Sequence, residues 1–571
     1  MPHRIGRGYR HHQDIQLLRN VYSVLGQSLN PRDYGNPFIS LSQVLRDPES
    51  LLLDTAKAHG AHKLTKDFKN YYGIKSANHG YTVVIKDNIV TPELPTTCAS
   101  NTLKGFLPPQ TSTVADLLRR GGQIMLAKTN MDEFGMGSHS INSAYGEVHN
   151  GTVDGPQGGT ALSVGGSSGG SALAVAANLA NVGIGTDTGG SIRLPAAYMS
   201  LVGFKPSYGM ISRKGVVPYA NSLDTVGLVA KSVQDVWLTY DILKKPDDND
   251  PTCLSSSSRS RVHYATYARD AALQGNKILP VILNGPRFGP AAPTETPGRY
   301  HPRRHPLPTS KGVPKRIGVP LEYNIQEMHP LVRWSWMATL SHLEKAGCEI
   351  VPISLPSTKH ALSSYYILAP AEASSNLAKY DGVRYGNSRH DHVDDDAANG
   401  TTLYSRFRGQ NFGPEVQRRI LLGTFSLSAG AMDNYFIQAQ KIRRMVQQDF
   451  DSVFRMPNPL RDNTKVNKQG VDFIVVPTAP TPPPRLKYVR NATPLESYIN
   501  DVFTVPASLA GLPAISVPGP RHPDYPWRPE VAVGMQLIGQ YGDDFNVLKM
   551  ANDELTNFHK GVVRVRYGKH M

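Results

Sequence analysis

The run Gly165-Gly166-Ser167-Ser168-Gly169-Gly170-Ser171 and the run Thr186-Asp187-Thr188-Gly189-Gly190-Ser191-Ile192-Arg193 lie in one stretch of the chain, separated by small and apolar residues. Each run holds a serine directly after two glycines, at Ser167 and at Ser191. A strand-like segment upstream, Tyr81-Thr82-Val83-Val84-Ile85-Lys86-Asp87-Asn88, carries a lysine near its end. One lysine and two serines can form a proton relay that ends in a nucleophile, so the sequence predicts an acyl-transfer enzyme that acts on an amide.

Lys86 is the predicted base, because a serine hydroxyl is a poor nucleophile until a base takes its proton. A lysine has a pKa near ~10.4 in water and must be desolvated to accept a proton around neutral pH. The apolar residues 83–85 are expected to bury its stem in a sheet. Asp87 should point to the opposite face, since side chains alternate along a strand. The competing interpretation is a lysine at an exposed strand end.

Gly189 and Gly190 indicate a sharp turn immediately before Ser191, which would leave the N–H groups of residues 188–191 free. Free N–H groups of this kind form an oxyanion hole for a tetrahedral intermediate. A helix is predicted from Ser191, with Pro195 in its first turn. Ser191 could then serve only as the helix N-cap, and Ser167 could be an ordinary loop residue rather than a proton carrier.

Two other motifs are rejected. Residues 165–169 satisfy the G-x-S-x-G pattern of hydrolases, but no downstream acid and histidine stand out as partners. Residues 122–129 differ from a phosphate-binding loop by one alanine in place of a glycine, and are expected to form a tight turn and an apolar strand. Nucleotide binding by this chain is therefore not expected.

The order of elements predicts an α/β protein with a mixed or parallel sheet. Residues 15–60 are predicted to be helical, and residues 81–90, 123–128, 182–185 and 473–476 to form strands. Residues 246–314 are rich in Ser, Pro and Gly and carry basic clusters, so they are expected to form a mobile insertion. The predicted units are a transit segment at 1–14, an N-terminal part at 15–245, the insertion at 246–314 and a C-terminal part at 315–560.

The chain of 571 residues carries a formal net charge of +15. This charge favours a polyanionic partner, yet the basic residues are spread out and no RNA-binding signature is present. A catalytically silent scaffold associated with RNA is the interpretation that charge alone would suggest. The arginine-containing segment 1–14, which has no acidic residue before Asp14, is typical of mitochondrial targeting. No apolar run reaches the roughly 20 residues that span a bilayer, so no membrane association is expected.

Lys86, residues 165–171 and residues 186–193 together resemble the signature of the amidase signature family; Val164 stands where many members have proline. The resemblance implies an amidase signature fold, a twisted mixed sheet covered by helices on both faces. It also implies a triad of Lys86, a cis-bonded Ser167 and the nucleophile Ser191. By the same resemblance the oxyanion N–H groups belong to Thr188, Gly189 and Gly190, and no metal is bound.

Further motifs are similar to one subgroup, the glutamine-hydrolysing subunits of tRNA-dependent amidotransferases. They are residues 96–100, 128–134, 204–209, 418–424 and 500–504. Free glutamine is a zwitterion and needs a cation for its carboxylate and an anion for its amine. The resemblance assigns these roles to Arg419 and Asp501, with Arg418 as a rival for the first and Ser138 as a further contact.

The subgroup implies partners for this chain: a B-type subunit, a small C- or F-type subunit and, through the complex, Glu-tRNA(Gln). It implies no cofactor on this chain, with ATP and Mg²⁺ on a partner subunit, and a place in the mitochondrial matrix. The alternative is a stand-alone amidase for small or fatty amides, which would use the same triad without a zwitterion clamp.

Overall fold

A computed structural model describes residues 38–41, 81–151, 161–273, 315–385, 404–461, 465–525 and 528–556. The strands are β1 (Phe38–Leu41), β2 (Thr82–Lys86), β3 (Ile124–Thr129), β4 (His149–Asn150), β5 (Leu162–Ser163), β6 (Val182–Asp187), β7 (Val202–Lys205), β8 (Thr225–Ala230), β9 (Arg316–Pro320), β10 (Glu349–Ile353), β11 (Phe473–Pro477), β12 (Ala514–Pro518) and β13 (Gly534–Ile538).

The helices are α1 (Thr113–Arg120), α2 (Gly169–Ala176), α3 (Arg193–Tyr198), α4 (Val233–Leu243), α5 (Ser256–Leu273), α6 (Pro330–Lys345), α7 (Ala361–Asn376), α8 (Ser405–Asn411), α9 (Pro414–Ser426), α10 (Phe436–Val453), α11 (Leu486–Asn491), α12 (Pro494–Tyr498), α13 (Val505–Leu509) and α14 (Asp544–Met550). Within the described ranges, no helix is both long enough and apolar enough to cross a membrane.

Eleven strands form one sheet in the order β1-β3-β2-β6-β8-β7-β12-β13-β11-β9-β10. Strands β3, β2 and β6 run parallel to one another, as do β11, β9 and β10, and the remaining pairs are antiparallel. Strand β7 pairs with β12, so the two parts of the chain on either side of the insertion share a single sheet. The predicted mixed α/β architecture is confirmed.

Helices cover both faces of this sheet, as the alternation of side chains along β2 makes visible. Val83 and Ile85 belong to the main apolar core, together with Val114 of α1 and Val236 of α4. Val84 lies on the other face and packs in a separate cluster with Ala174 of α2 and with Leu126. Lys86 follows Val84 by two positions and therefore faces the same side of the sheet as α2.

Two expectations about local structure are wrong. Residues 38–41, predicted to be helical, form β1, which pairs antiparallel with β3 at the edge of the sheet. The sequence Phe-Ile-Ser-Leu has residue types that favour strands, and tertiary pairing outweighs the helical spacing around it. The remaining parts of residues 15–60 lie outside the described residues.

Residues 256–273, assigned to a mobile insertion, form the helix α5. Val262, Ala265 and Ala268 recur every three residues and are buried, so this helix has an apolar face that packs on the body. Arg269 extends from the same helix to Asp543, with Nη1 at 2.7 Å from Oδ2. Because the segment is also rich in serines and basic residues, its overall composition does not reveal this apolar face. Residues 274–314 lie outside the described residues.

Candidate active site

The sheet places Lys86 at the last position of β2, beside the end of the parallel strand β6. Ile85 is in register with Ile184, so both strands end at the same edge of the sheet. The two glycine-rich runs lie at this edge, one before α2 and one directly after β6. The parallel pairing therefore brings the predicted base to the predicted serine loops.

Lys86 is fully buried and contacts neutral oxygen atoms. Its Nζ lies 2.6 Å from Ser167 Oγ and 3.1 Å from Thr186 Oγ1. Burial lowers the pKa of Lys86 from 10.5 to about 7, against the opposing charge of Asp132, which favours the protonated amine. A lysine with this pKa can both accept and return a proton near neutral pH.

Ser167 lies in a tightly packed loop in which the Gly166–Ser167 peptide bond is cis. Its hydroxyl is almost fully buried and is held at Lys86. Gly165, two residues before Ser167, has a φ of +76°, and a Cβ there would lie 2.8 Å from the Cα of Pro195. Glycine is therefore required at this position both by backbone conformation and by space.

The turn at residues 188–191 carries the predicted oxyanion hole. Among the described residues, no acceptor contacts the backbone N–H groups of Thr188, Gly189, Gly190 or Ser191. Each of the two glycines is closely covered, since a Cβ on Gly189 would lie 2.8 Å from the ring of Tyr365 and one on Gly190 would lie 2.4 Å from Thr504 Oγ1. The turn can thus offer donors to a developing negative charge.

A buried ion pair between Asp187 and Arg193 joins the two ends of this turn. Arg193 Nη2 lies 2.8 Å from Asp187 Oδ1, and both side chains are fully buried. Arg193 also donates to Thr504 O and Gln536 Oε1, at 2.9 and 2.6 Å. Burial alone would raise the pKa of Asp187, but the guanidinium of Arg193 holds it below its ordinary value. The pair therefore fixes both ends of the loop that carries Ser191.

Ser191 is buried, with 8% of its surface exposed. Its hydroxyl has no hydrogen-bond partner within the part of the chain that the structure describes, and the helix after it begins only at Arg193. The predicted helix start at Ser191 is therefore displaced by two residues, and the N-cap interpretation loses its support. The main chains of the two loops are joined by the Ser168 N–H, which donates to Ser191 O at 3.2 Å.

The structure thus brings Lys86 and Ser167 into direct contact but shows no hydrogen bond between Ser167 and Ser191. A substrate-free arrangement of this kind is compatible with a relay, because catalytic hydrogen bonds are commonly longer before substrate binds. The histidines offer no competing base: among the described residues none hydrogen-bonds to either serine. His139 instead pairs with Ser163, and burial lowers its pKa to about 4.

Arg419 is buried on α9, whereas the side chain of its neighbour Arg418 is 42% exposed. Arg419 donates from Nε to Glu415 Oε1 at 2.7 Å and from Nη1 to the Tyr219 hydroxyl at 2.7 Å. Three tyrosine rings surround its guanidinium at 5.3–5.7 Å, those of Tyr219, Tyr366 and Tyr498. Its Nη2 contacts no acceptor among the described residues and is available to a ligand.

Asp501 supplies the acid opposite this cation. Its Oδ2 accepts hydrogen bonds from Ser138 Oγ at 2.7 Å and from the Tyr366 hydroxyl at 3.1 Å. A Cβ on Gly190 would lie 3.1 Å from Asp501 Oδ1, so this carboxylate borders the oxyanion turn. Burial raises the pKa of Asp501 to about 6, although these hydrogen bonds and Arg419 favour the ionised form.

Sequence reasoning missed several groups that shape the site, namely Thr186, Asp187, Arg193, Tyr219, Asp224, Tyr366 and Glu415. Asp187 and Arg193 lie within the second glycine-rich run, and their opposite charges around a tight turn are a signal that a pair forms. The tyrosines lie in separate segments with no local pattern. The described residues contain no cluster of His, Cys, Asp and Glu that could hold a metal ion.

Comparison with known proteins agrees with this geometry. The family model described as Amidase matches residues 50–278 and 297–548. The match includes residues 246–278, which their composition had placed in the insertion. Two curated relatives are named as the A-type subunit of mitochondrial glutamyl-tRNA(Gln) amidotransferase. The one from Emericella nidulans is 50% identical over 489 residues, which cover 84% of this chain and 89% of that protein.

The second relative, from Coccidioides posadasii, is 49% identical over 492 residues, again 84% of this chain and 89% of that protein. The crystal structure of the A-type glutamyl-tRNA(Gln) amidotransferase subunit from Thermotoga maritima aligns with a TM-score of 0.58 and 30% identity, covering 83% of each chain. The matches extend over most of the chain and include the residues that surround Lys86. This chain is an enzyme of the amidase signature family.

Proposed function

We propose that this chain is the glutaminase subunit of a mitochondrial tRNA-dependent amidotransferase. It would hydrolyse glutamine and supply ammonia for the conversion of Glu-tRNA(Gln) to Gln-tRNA(Gln). The observation that carries the proposal is the buried pair of opposite charges, Arg419 and Asp501, beside the Lys86–Ser167 contact and the Ser191 turn. The names of the relatives at about 50% identity support the same function.

Arg419 and Asp501 together form a clamp with one positive and one negative half. This clamp suits an α-amino acid, whose carboxylate and ammonium groups carry the opposite charges. The free Nη2 edge of Arg419 can bind the α-carboxylate of glutamine, and its fixed Nε and Nη1 contacts orient that edge. Asp501 can accept the α-ammonium group. Since the pKa of Asp501 is about 6, its carboxylate is ionised above that pH and can pair with the ammonium group. An aliphatic or fatty amide would offer no carboxylate to the Nη2 edge of Arg419 and no ammonium group to Asp501, which disfavours a stand-alone amidase.

The chemistry then follows from the positions of the hydroxyls. Ser191 Oγ attacks the side-chain amide carbon of glutamine while its proton moves by way of Ser167 to neutral Lys86. The N–H groups of Thr188, Gly189 and Gly190 stabilise the oxyanion. The proton returns to the leaving nitrogen, ammonia departs, and a glutamyl ester remains on Ser191. Water, deprotonated by the same relay, hydrolyses the ester to glutamate.

The proposal includes partners for the ammonia. A B-type subunit would use ATP and Mg²⁺ to activate Glu-tRNA(Gln), and a small C- or F-type subunit would complete the complex. No cofactor is proposed on this chain. The mitochondrial names of the relatives support a place in that organelle, and the matrix follows from the requirement for tRNA.

The proposal is tested by measuring glutamate and ammonia release from glutamine by the full chain, alone and with co-expressed partner subunits. We expect Ser191→Ala to abolish release. We expect Arg419→Gln to raise the KM for glutamine by about 30-fold or more, since truncating one half of a buried charge pair costs about 2–5 kcal/mol.

Arg418→Gln is the matched control, because the side chain of this neighbour is 42% exposed and contacts the other carboxylate oxygen of Glu415, Oε2, so the change should leave KM within about twofold. A simple aliphatic amide is the comparison substrate, and its hydrolysis should respond to Ser191→Ala but not to Arg419→Gln. Hydrolysis of the aliphatic amide with no hydrolysis of glutamine, even with partners present, would refute the proposal and favour a stand-alone amidase.

A further inference from the structure

Asp224 lies between the oxyanion turn at residues 188–191 and Tyr219, whose hydroxyl accepts a hydrogen bond from Arg419. Its Oδ1 accepts a hydrogen bond from Thr188 Oγ1 at 2.7 Å. Its Oδ2 accepts the backbone N–H groups of Tyr219 and Ala220 at 2.9 and 3.0 Å. One carboxylate thus binds the turn with one oxygen and the start of the loop 219–224 with the other.

That loop leads directly to the clamp. The Tyr219 hydroxyl accepts the hydrogen bond from Arg419 Nη1 at 2.7 Å, and its ring lies 5.7 Å from the guanidinium carbon. All four side chains of the connection, from Thr188 through Asp224 and Tyr219 to Arg419, are at least 95% buried. Hydrogen bonds in such surroundings are stronger than in water, and partners in one network do not act independently.

We propose that Asp224 is a positioning residue that couples the oxyanion turn to the Arg419 clamp, so that the turn and the cation are aligned together. The proposal rests on the glutaminase function proposed above. Asp224 touches neither substrate nor reacting atoms in this mechanism, and it acts through Thr188 and Tyr219. A purely structural role would stabilise the fold without transmitting a change at the turn to the affinity for the carboxylate of glutamine.

Thr188→Val tests the coupling, because it removes the hydroxyl that bonds Asp224 while it keeps the side-chain shape and the backbone N–H. We expect this variant of the complete complex to raise the KM for glutamine by about threefold to tenfold, although Thr188 does not contact the clamp. The KM for an aliphatic amide without a carboxylate should not change. A lower kcat is expected for both substrates, because the turn itself is disturbed.

Two variant backgrounds test whether Asp224 and Tyr219 transmit the effect of Thr188→Val on the KM for glutamine. In Tyr219→Phe the link to Arg419 is cut, and in Asp224→Ala the carboxylate is absent, so adding Thr188→Val should leave the KM for glutamine unchanged in both. Asp544→Ala is the matched control: Asp544 also accepts a backbone N–H and a hydroxyl, both from Ser207, at 2.8 and 2.6 Å. In this background the effect of Thr188→Val should persist.

If Asp224→Ala does not fold, Asp224→Asn replaces it, and the effect of Thr188→Val on KM should shrink in that background. An unchanged KM in Thr188→Val, or an equal increase in the Tyr219→Phe background, would overturn the coupling while glutaminase activity persists. Absence of glutamine hydrolysis by the wild-type complex would instead refute the proposed function, and this inference with it.

Discussion

Lys86 and Lys128 are buried lysines on the neighbouring parallel strands β2 and β3, and neither side chain is exposed to solvent. Ile85 is in register with Lys128, so Lys128 points to the face of the sheet opposite to Lys86. Asp87, the residue after Lys86, lies on the side of Lys128 and pairs with it at 3.2 Å. The two lysines share burial and differ in what they contact.

This difference separates the proposed base, Lys86, from a structural cation, Lys128. Lys128 Nζ contacts a carboxylate and the Thr96 hydroxyl, whereas Lys86 Nζ contacts the Ser167 and Thr186 hydroxyls. Burial lowers the pKa of both amines, and for Lys128 the adjacent Asp87 counteracts that shift. Lys86 has no carboxylate in hydrogen-bond contact among the described residues, so its pKa falls to about 7. Burial therefore makes a lysine available as a base only where no acid stands beside it.

Lys86→Met gives the largest expected effect. Loss of a positioned general base reduces the rate by typically about 10²–10⁴-fold, so we expect kcat for glutamine to fall within that range. The fold should persist, because the partners left behind are neutral hydroxyls, one of which still accepts a hydrogen bond from Asn88. Steady-state glutamate release measures kcat, and circular dichroism verifies folding. A folded variant that keeps a tenth or more of the activity would exclude Lys86 as the base.

Lys128→Met should lower the stability of the fold and leave kcat nearly unchanged, which is the reverse of the expectation for Lys86→Met. It leaves the buried carboxylate of Asp87 without its cation, which costs about 3–5 kcal/mol. We expect the free energy of unfolding to drop by this amount in a denaturant titration, while kcat of the folded fraction changes little.

The double variant Lys128→Met/Asp87→Asn is the control, because it removes the orphaned charge and should recover part of the lost stability. If Lys128→Met were instead as stable as the wild type and inactive, Lys128 would itself belong to the catalytic machinery, and burial beside an acid would not mark it as a structural cation.

The sequence predicted the half of the site that is local. Glycine-rich turns and an apolar strand that ends in Lys86 are short-range patterns, and the face assigned to Asp87 followed from strand alternation alone; its contact with Lys128 confirms that face. The cis peptide bond came only from the family resemblance, which also assigned the attack to Ser191 rather than to Ser167. These patterns could be recognised in the sequence because each loop supplies several groups of the site from a few consecutive residues.

The clamp could not be derived in the same way, because tertiary packing assembles it from distant segments. Adjacent arginines on a helix point about 100° apart, so a small error of register exchanges Arg418 for Arg419. Packing against Tyr219, Tyr366 and Tyr498 determines which of the two arginines is buried. No periodic pattern in the sequence predicts those contacts. Helix α5 was missed for a related reason: alanines form its buried face, and alanine gives a weak hydrophobic signal.

A carboxylate introduced beside Lys86 should remove the distinction between the two lysines, and its effect depends on pH. For the wild type, kcat/KM should rise with pH through a midpoint of about 7, because only the neutral amine of Lys86 accepts a proton. Thr186→Asp places a negative charge where Oγ1 now lies 3.1 Å from Nζ. An adjacent opposite charge raises the pKa of a lysine, by about 1–3 units, so the midpoint should move upward by that amount.

Thr186→Asn is the matched control, since it has nearly the same shape without the charge, and its midpoint should stay near 7. At pH 7 the aspartate variant should be about 5-fold to 500-fold less active than the asparagine variant, and the ratio should approach one as the pH rises above the shifted midpoint. A constant ratio across the pH range would mean that the aspartate perturbs geometry rather than the protonation of Lys86. In that case the neutral surroundings of Lys86 would not be what distinguishes it from Lys128.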